Sequence, residues 1–276
     1  MLSRILPALA LSGFSLLAHA TPVAALYQTH CAACHGEQRQ GAMAPALLPQ
    51  SLERVRPAEA LAVIQQGRPA TQMAGFSGTL SAEDIASLAA FIRTEPTTPP
   101  RWTAADITAS RIEHVKPHSL PDTPRFRADP QNLFLVVEAG THHVTVLDGD
   151  TLTPIHRFKS RFALHGGPKY SPDGRYVYFG SRDGWVSKYD LWNLTTVAEV
   201  RAGINARNVA VSNDGKWVMV GNYLPQNLVL LDADLNFVRA IPTTSTTTAA
   251  TGGKTSRVSA VYDAAPRSSF VVAMKD

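Results

Sequence analysis

The sequence predicts two unlike domains, an all-α domain followed by an all-β domain built as an incomplete β-propeller. Three observations lead to this fold class. Apolar residues recur at helical spacing between residues 24 and 94. After residue 130, short runs rich in β-branched and aromatic residues alternate with Gly, Asp and Asn turns. Between the two patterns lies PTTPP at 96–100, which cannot continue a helix and behaves as a stiff spacer.

The composition excludes several classes of protein. Hydrophobic residues make up 45% of the 276 residues, which is enough for packed cores and unlike a disordered chain. The formal net charge is +4 and no Lys/Arg cluster forms a stripe, so no nucleic-acid partner is expected. The two cysteines lie three positions apart, which excludes a disulfide-stapled scaffold.

Residues 1–20 are predicted to be a signal peptide. Arg4 supplies a positive charge, an apolar run over 5–17 follows, and Ala-His-Ala at 18–20 is a small-residue cleavage site. The alternative is an uncleaved membrane anchor, but the run is shorter than the roughly 18 residues that a spanning helix needs. The mature chain is therefore expected in the periplasm, with no membrane span after cleavage.

Residues 21–94 predict a small helical domain. A short amphipathic helix leads into the cysteine pair. Pro57 opens a second helix that ends at Gly67, which is the usual placement of these two residues at helix ends. Ser81 and Asp84 predict a capping box at the start of the last helix.

The cysteine pair predicts one covalent haem c. Cys31, Cys34 and His35 form C-x-x-C-H, in which two thiols bind the haem vinyl groups and the adjacent imidazole coordinates the iron. The alternative is a redox or zinc pair. Zinc would need two more Cys or His ligands at similar spacing, and the chain has no further cysteine.

Met73 is predicted as the second axial ligand of the haem c iron. It lies well after His35 in the chain, in a loop just before the last helix, so the chain can wrap the haem and return on its other side. Met43 is the alternative, but it lies in the loop next to the cysteines, on the proximal side. His30 is interpreted as a surface residue.

Residues 131–276 predict about three propeller blades. SPDGRYV at 171–177 is matched by SNDGKWV at 212–218. Asp148, Asp190 and Asp232 each close a β-run and follow one another at equal intervals along the chain. A repeat of roughly 40–45 residues with several strands per unit is typical of a β-propeller. A β-sandwich is the alternative, but it does not need turns that recur at one period.

The propeller is predicted to be incomplete. About three repeats are fewer than the four or more blades of a closed propeller. The sequence ends on FVVAMKD, in the middle of a β-run. We therefore expect the chain to be the front part of a longer protein, either a truncated gene product or a sequence fragment.

Eight stretches carry a resemblance to a known family, namely CAACHG (31–36), the Met73 loop with LSAEDIASLAAFI (80–92), NLF and VTVLDGD within 132–150, FALHGG (162–167), GRYVYFGSRDGW (174–185), KYDLWN (188–193), GINARNVAVS (203–212) and GNYLPQ (221–226). In these stretches the chain resembles the cytochrome cd1 nitrite reductases, which join a cytochrome c domain to an eight-bladed β-propeller that holds haem d1. The resemblance implies a cytochrome c domain over 21–94, a Pro-rich linker over 95–130 and a C-terminally truncated, eight-bladed-type propeller over 131–276.

The resemblance also implies a second haem site, in the propeller. His165 in FALHGG matches the proximal ligand of the haem d1 iron, and the two glycines after it leave room for a macrocycle to approach the backbone. Arg182 and Arg207 match positions that contact the carboxylates of haem d1, and arginine forms bidentate pairs with carboxylates. Tyr223 matches an aromatic position of the same pocket.

The chain departs from the nitrite reductases at three positions. An alignment without gaps places Ala265 and Arg267 where the reductases carry two distal histidines that protonate nitrite, and neither residue donates a proton near neutral pH. Ala139 replaces a further arginine of the reductase pocket. The chain thus resembles the branch of the family that dehydrogenates dihydro-haem d1, turning a propionate into an acrylate during haem d1 biosynthesis.

The resemblance therefore implies an oxidoreductase of denitrification with a tetrapyrrole substrate. Electrons would leave through haem c to a soluble electron acceptor, and a nitrite reductase would receive the haem d1. The alternatives are a haem d1 carrier or chaperone and a nitrite reductase-like electron-transfer protein. No general base is identified before Asp276.

Overall fold

The computed structural model describes residues 22–117, 119–244 and 255–275. The predicted signal peptide, 1–20, lies outside these residues. The first part of the chain is helical, as its apolar spacing predicts. Its helices are α1 (Val23–His30), α2 (Ala32–His35), α3 (Pro49–Leu52), α4 (Pro57–Gln66) and α5 (Ala82–Phe91).

The ends of α4 and α5 lie where the sequence places them. Pro57 is the first residue of α4, and Gly67 ends that helix in the left-handed region at φ 77°. At the start of α5 the Asp84 backbone N–H donates to the Ser81 hydroxyl at 3.1 Å, and the Ser81 N–H donates back to the Asp84 carboxylate at 3.4 Å. The predicted capping box is therefore confirmed, and it leaves two fewer donors unsatisfied at the helix start.

One apolar cluster holds the helices together. On the inner face of α5, Ile85 and Leu88 are each 1% exposed and pack against α1 and α4. Tyr27 on α1 is also 1% exposed, and its hydroxyl donates to the Gly36 carbonyl at 2.7 Å. This packing fixes the backbone on both sides of the cysteine pair.

The segment predicted as a linker, 95–130, contains regular structure. It forms α6 (Ala104–Ser110), capped by Thr103 and Asp106, and β1 (Ile112–Glu113). Ile107 is 1% exposed and packs into the core of the all-β domain. The proline stretch at 96–100 is followed by a second capping box, which starts a helix inside the segment expected to be a linker.

Four antiparallel sheets make up the described part of the all-β domain, which is of the β-propeller type. The first three have at least three strands each, and each chain segment returns to begin the next sheet, as in consecutive blades. The first sheet contains β2 (Leu133–Glu138), β3 (His143–Asp148) and β4 (Pro154–Lys159), and the second contains β5 (Lys169–Tyr170), β6 (Tyr176–Gly180), β7 (Trp185–Asp190) and β8 (Thr195–Arg201), with β1 paired to β8. The third sheet contains β9 (Asn205–Val211), β10 (Trp217–Leu224), β11 (Asn227–Asp232) and β12 (Phe237–Pro242). The fourth sheet pairs β13 (Val258–Asp263) with β14 (Phe270–Met274).

The predicted repeat is confirmed at the ends of β3, β7 and β11. Asp148, Asp190 and Asp232 are the last residues of these strands. Each carboxylate accepts a hydrogen bond from a backbone N–H in the turn that follows, at 2.8, 3.0 and 2.9 Å respectively. Aspartate recurs because its short side chain closes this turn.

The blades pack through aliphatic side chains on both faces. Val144 and Val146 of β3 meet Val177 and Phe179 of the next blade. The following interface contains Val186, Val200, Val209, Val218 and Val220, and all five are at most 3% exposed. Among the described residues no helix is both long and apolar enough to cross a membrane.

Replacing Asp190 with alanine is expected to lower the free energy of unfolding by about 3 kcal/mol. Arg175 donates to Asp190 at 3.0 and 3.1 Å, and its side chain is only 10% exposed. The variant would leave this guanidinium buried, with the exposed Asp122 as its remaining carboxylate partner. Urea unfolding followed by tryptophan fluorescence measures the loss.

The matched control is Asp148→Ala, one repeat earlier, where no arginine of the described residues pairs with the aspartate. Its loss is expected to be a small fraction of the loss at Asp190. Equal losses in the two variants would contradict the role given to the buried ion pair.

Candidate functional site

The C-x-x-C-H motif lies where two helices meet. Cys31 breaks the helix between α1 and α2, and His35 is the last residue of α2. The ring of His35 is 9% exposed, and its Nδ1–H donates to the Pro45 carbonyl at 2.8 Å. Burial lowers the pKa of His35, so the ring is neutral and Nε2 carries a free lone pair. This is the donor that a haem iron requires.

The thiols fit haem attachment better than the two alternatives. Burial and the neighbouring Cys34 raise the pKa of the Cys31 thiol to about 11. A redox C-x-x-C pair instead depends on a lowered thiol pKa. No group of three or more His, Cys, Asp or Glu residues able to hold a metal ion occurs in the described part of the chain, so the further ligands that zinc needs are not assembled there.

Met73 lies in the loop between α4 and α5, as predicted. Its carbonyl accepts from the Arg68 N–H at 3.0 Å, and Phe76 N–H donates to Ile64 at 2.9 Å, which ties the loop to α4. Met73 is half-buried, whereas Met43 is 48% exposed. Met73 stays the predicted second axial ligand.

Four residues predicted for the propeller site lie close together. His165 Nδ1–H donates to the Arg207 carbonyl at 3.1 Å, and the Arg207 guanidinium donates to His165 Nε2 at 2.8 Å. The same guanidinium lies 5.7 Å from the centre of the Tyr223 ring, and Arg182 is near enough to Arg207 to lower its own pKa. Burial and these two arginines lower the pKa of His165, so its ring is neutral.

A cavity of about 250 Å³ opens beside His165. Gly166 and Gly167 form part of its wall with φ of 87° and 72°, in the left-handed region that favours glycine. A Cβ at Gly166 would lie 3.3 Å from the Arg207 carbonyl. Since both residues are glycines, no side chain of theirs separates the backbone of Gly166 and Gly167 from the cavity.

Sequence reasoning missed two further cations of this site. Arg257 and Lys275 lie 5.6 and 5.2 Å from the centre of the Tyr223 ring. The Arg257 guanidinium also forms an ion pair with Glu53 of the helical domain. The position of Arg257, one residue before the first strand of its sheet, was the signal that could have placed it there.

The helical domain adds positive charge to the same region. Burial lowers the pKa of Arg182, and the charges of Arg207, Arg54 and Arg68 lower it further. Arg54 and Arg68 belong to the helical domain. The arrangement can bind a ligand with several carboxylates and offer one imidazole nitrogen to its metal.

Ala265 and Arg267 lie away from this site. They belong to the exposed turn between β13 and β14, beside Asp263, whose carboxylate accepts from the Asn213 N–H at 3.1 Å. Asn213 follows the far end of β9, whereas Arg207 lies near its start. The ungapped comparison with the distal histidines was therefore wrong, because it ignored strand direction. Ala139 lies in the exposed turn between β2 and β3.

Asp183 is a buried residue next to Arg182 that sequence reasoning also missed. It is 0% exposed, Ser181 donates to its Oδ1, and its Oδ2 has no hydrogen-bond partner among the described residues. Burial raises the pKa of Asp183 to about 6, against the opposing effects of Ser181 and Arg201. The fold thus holds this carboxyl in surroundings that destabilise its ionised form.

Comparison with known proteins identifies two matching families. Residues 128–276 match the family described as Cytochrome D1 heme domain. Residues 18–92 match Cytochrome C oxidase, cbb3-type, subunit III.

Relatives match most of this chain. It is 60% identical over 256 residues to the dihydro-heme d1 dehydrogenase of Pseudomonas aeruginosa, covering 92% of this chain and 51% of that protein. A nitrite reductase of Stutzerimonas stutzeri is 28% identical over 229 residues, or 75% of this chain and 40% of the reductase. The solved structure of dihydro-heme d1 dehydrogenase NirN in complex with DHE superposes with a TM-score of 0.85 at 60% identity, over 93% of this chain and 54% of that one. The chain spans about half the length of the dehydrogenase.

Replacing Asp183 with asparagine is expected to change how stability depends on pH. Because the folded-state pKa of Asp183 lies above its usual value, the contribution of Asp183 to the free energy of unfolding is largest below about pH 4. That contribution is lost as the pH rises from about 4 through about 6, by roughly 3 kcal/mol in total. Asp183→Asn should remove this fall, which urea unfolding at a series of pH values measures.

Asp214→Asn, at an exposed turn, is the control and should keep the fall seen in the unchanged chain. If Asp183→Asn keeps it too, the buried carboxyl does not titrate in this range.

Proposed function

Because this chain belongs to the family of proteins with a cytochrome D1 haem domain, we propose that it is an oxidoreductase that dehydrogenates dihydro-haem d1. The observation that carries the proposal is the neutral His165 surrounded by arginines at one end of the propeller. The 60% identity of this chain to the dihydro-heme d1 dehydrogenase of Pseudomonas aeruginosa supports the same reaction. One propionate of the substrate becomes an acrylate, and the substrate loses two electrons and two protons.

Cys31 and Cys34 would hold haem c through two thioether bonds, and His35 Nε2 would coordinate its iron. When bound, haem c would supply a one-electron acceptor. The Pro45 carbonyl holds the His35 ring in the orientation and tautomer that this requires. Met73 is proposed as the ligand on the other side of the iron.

His165 is proposed to bind the iron of the tetrapyrrole substrate through Nε2. Arg207, which donates to this nitrogen in the structure, would turn to a substrate carboxylate. Arg182 and Tyr223 line the same site and would hold the substrate edge. Binding would thus replace repulsion among cations with ion pairs.

The protein is proposed to act in the periplasm, after removal of residues 1–20. The electrons would leave one at a time to a soluble one-electron acceptor. A nitrite reductase is proposed as the protein that receives the product, since haem d1 is the cofactor that the resemblance assigns to those enzymes. The pathway would then serve denitrification.

The reaction is tested by mixing the haem-loaded chain with dihydro-haem d1 and a soluble one-electron acceptor without oxygen. Loss of two hydrogen atoms from the tetrapyrrole, read by mass spectrometry, together with reduction of haem c, is the expected result. A tetrapyrrole that binds and stays unchanged would overturn the proposal and favour a carrier.

His165→Ala is expected to weaken tetrapyrrole binding at least tenfold, about 1.4 kcal/mol, because the iron loses its protein ligand. The measurement is an absorption titration that also detects loss of the histidine-ligated spectrum. His143→Ala is the control, since that ring bonds the Thr141 carbonyl at 2.7 Å in a turn of the first blade. Unchanged affinity and spectrum in the His165 variant would contradict its assignment as ligand.

A further inference from the structure

We propose that Arg201, a propeller residue, positions the loop that orients His35 and thereby sets the reduction potential of haem c. The inference rests on the proposed attachment of haem c at the cysteine pair. Arg201 touches no haem ligand itself, so it acts as a positioning residue.

Arg201 joins three segments of the chain through one guanidinium. Its Nε donates to the Asp183 carbonyl at 2.8 Å, and its two terminal nitrogens donate to the carbonyls of Gln40 and Gly41, the latter at 3.5 Å. The guanidinium also lies 4.6 Å from the centre of the Trp102 ring. Arg201 is 8% exposed, so these contacts form away from water and are stronger for it.

The backbone of Arg201 is fixed as firmly as its side chain. Its N–H donates to the Ser110 hydroxyl at 2.9 Å, and its carbonyl accepts from Trp102 Nε1 at 2.8 Å. Both partners belong to the segment that contains α6. These two bonds fix the backbone of Arg201, and its guanidinium extends from there to the helical domain.

The two carbonyls that Arg201 holds belong to the loop that follows His35. Within this loop the Gly41 N–H donates to the His35 carbonyl at 2.8 Å, and the Ala44 N–H donates to the Cys34 carbonyl at 2.8 Å. Pro45, the acceptor of the His35 ring, follows directly. Gly41 has φ 80°, and a Cβ there would lie 3.4 Å from the Arg201 guanidinium. The loop and the arginine are therefore closely fitted.

A second contact keeps the loop from shifting along the propeller. Ala46 and Leu48, just after Pro45, are 4% and 0% exposed and pack on Ile204. Ile204 follows Arg201 closely in the chain. The Pro45 carbonyl is thus held between a polar and an apolar anchor, both supplied by the same stretch of the propeller.

The strength of the His35 Nδ1–H bond affects the iron. A carbonyl acceptor makes the imidazole a stronger donor, and a stronger donor favours the ferric state. Loosening the loop should weaken that bond and raise the potential. Removing the positive charge of Arg201 acts in the opposite direction, because a nearby cation favours the ferrous state. A lysine at this position separates the two effects, since it keeps the charge and loses the planar set of donors.

Arg201→Lys in the haem-loaded chain is the deciding experiment. The His35 Nδ1–H, followed by NMR in the ferrous state, is expected to exchange with solvent at least tenfold faster. At a fixed solution potential near the midpoint, the ratio of ferrous to ferric haem is expected to rise about threefold. Both changes follow from a loosened loop and not from charge.

Arg239→Lys, on the exposed face of β12, is the matched control and should change neither quantity. Trp102→Phe keeps a ring under the guanidinium but removes the donor to the Arg201 carbonyl, so it should shift both quantities in the same direction by less. It also covers the case in which Arg201→Lys does not fold.

The proposal is overturned if Arg201→Lys and Trp102→Phe leave both quantities unchanged while Arg201→Gln lowers the ferrous share, since charge alone would then explain Arg201. Covalent haem is measured first in the denatured chain. A chain without it refutes the haem c assignment and this inference together. A chain that carries it, shows both shifts and fails to dehydrogenate the tetrapyrrole refutes only the proposed reaction.

Discussion

Strand direction within the blades decides which side chains of this protein can meet. The first strands of successive sheets all start at the same end of the propeller, because each blade has to return the chain to that end before the next begins. His165, Arg207 and Arg257 lie near the starts of three such strands. The turns that follow the same strands lie at the opposite end, where Asp263 bonds Asn213. One topological constraint therefore gathers the cations and separates them from Ala265 and Arg267.

The gathered cations repel one another. Arg182 lies close enough to Arg207, Arg54 and Arg68 for each of them to lower its pKa further after burial has done so. Repulsion of this kind lowers stability, and proteins retain it mainly at functional sites. A ligand with several carboxylates would offset this repulsion by forming ion pairs with the same arginines. The packing of the two domains thus bears on the anionic tetrapyrrole that is proposed as the substrate.

The sequence predicts best those features whose physical cause is local. The C-x-x-C-H motif, the capping box at Ser81 and the aspartates that end β3, β7 and β11 each depend on a few neighbouring residues. The structure confirms the capping box and the aspartates directly. The gathering of His165 and Arg207 required the family resemblance, since the two lie far apart in the chain. Arg201 could not be predicted, because its partners at Gln40 and Gly41 lie in the other domain and offer only backbone carbonyls. Every residue has a backbone carbonyl, so the residue types do not show which carbonyls accept a hydrogen bond.

The domain interface also limits how the two proposed haem sites can move relative to one another. Arg182 faces the propeller site, and the next residue, Asp183, accepts from the guanidinium that holds the loop after His35. Asp183 and the Arg201 side chain are both buried, and their hydrogen bond connects the residue after Arg182 to the loop after His35. Electron transfer falls steeply with distance, so a fixed separation between donor and acceptor is worth more than a flexible tether. The helix α6 and its neighbours, which occupy the segment expected to be a spacer, supply that rigidity by fixing the backbone of Arg201.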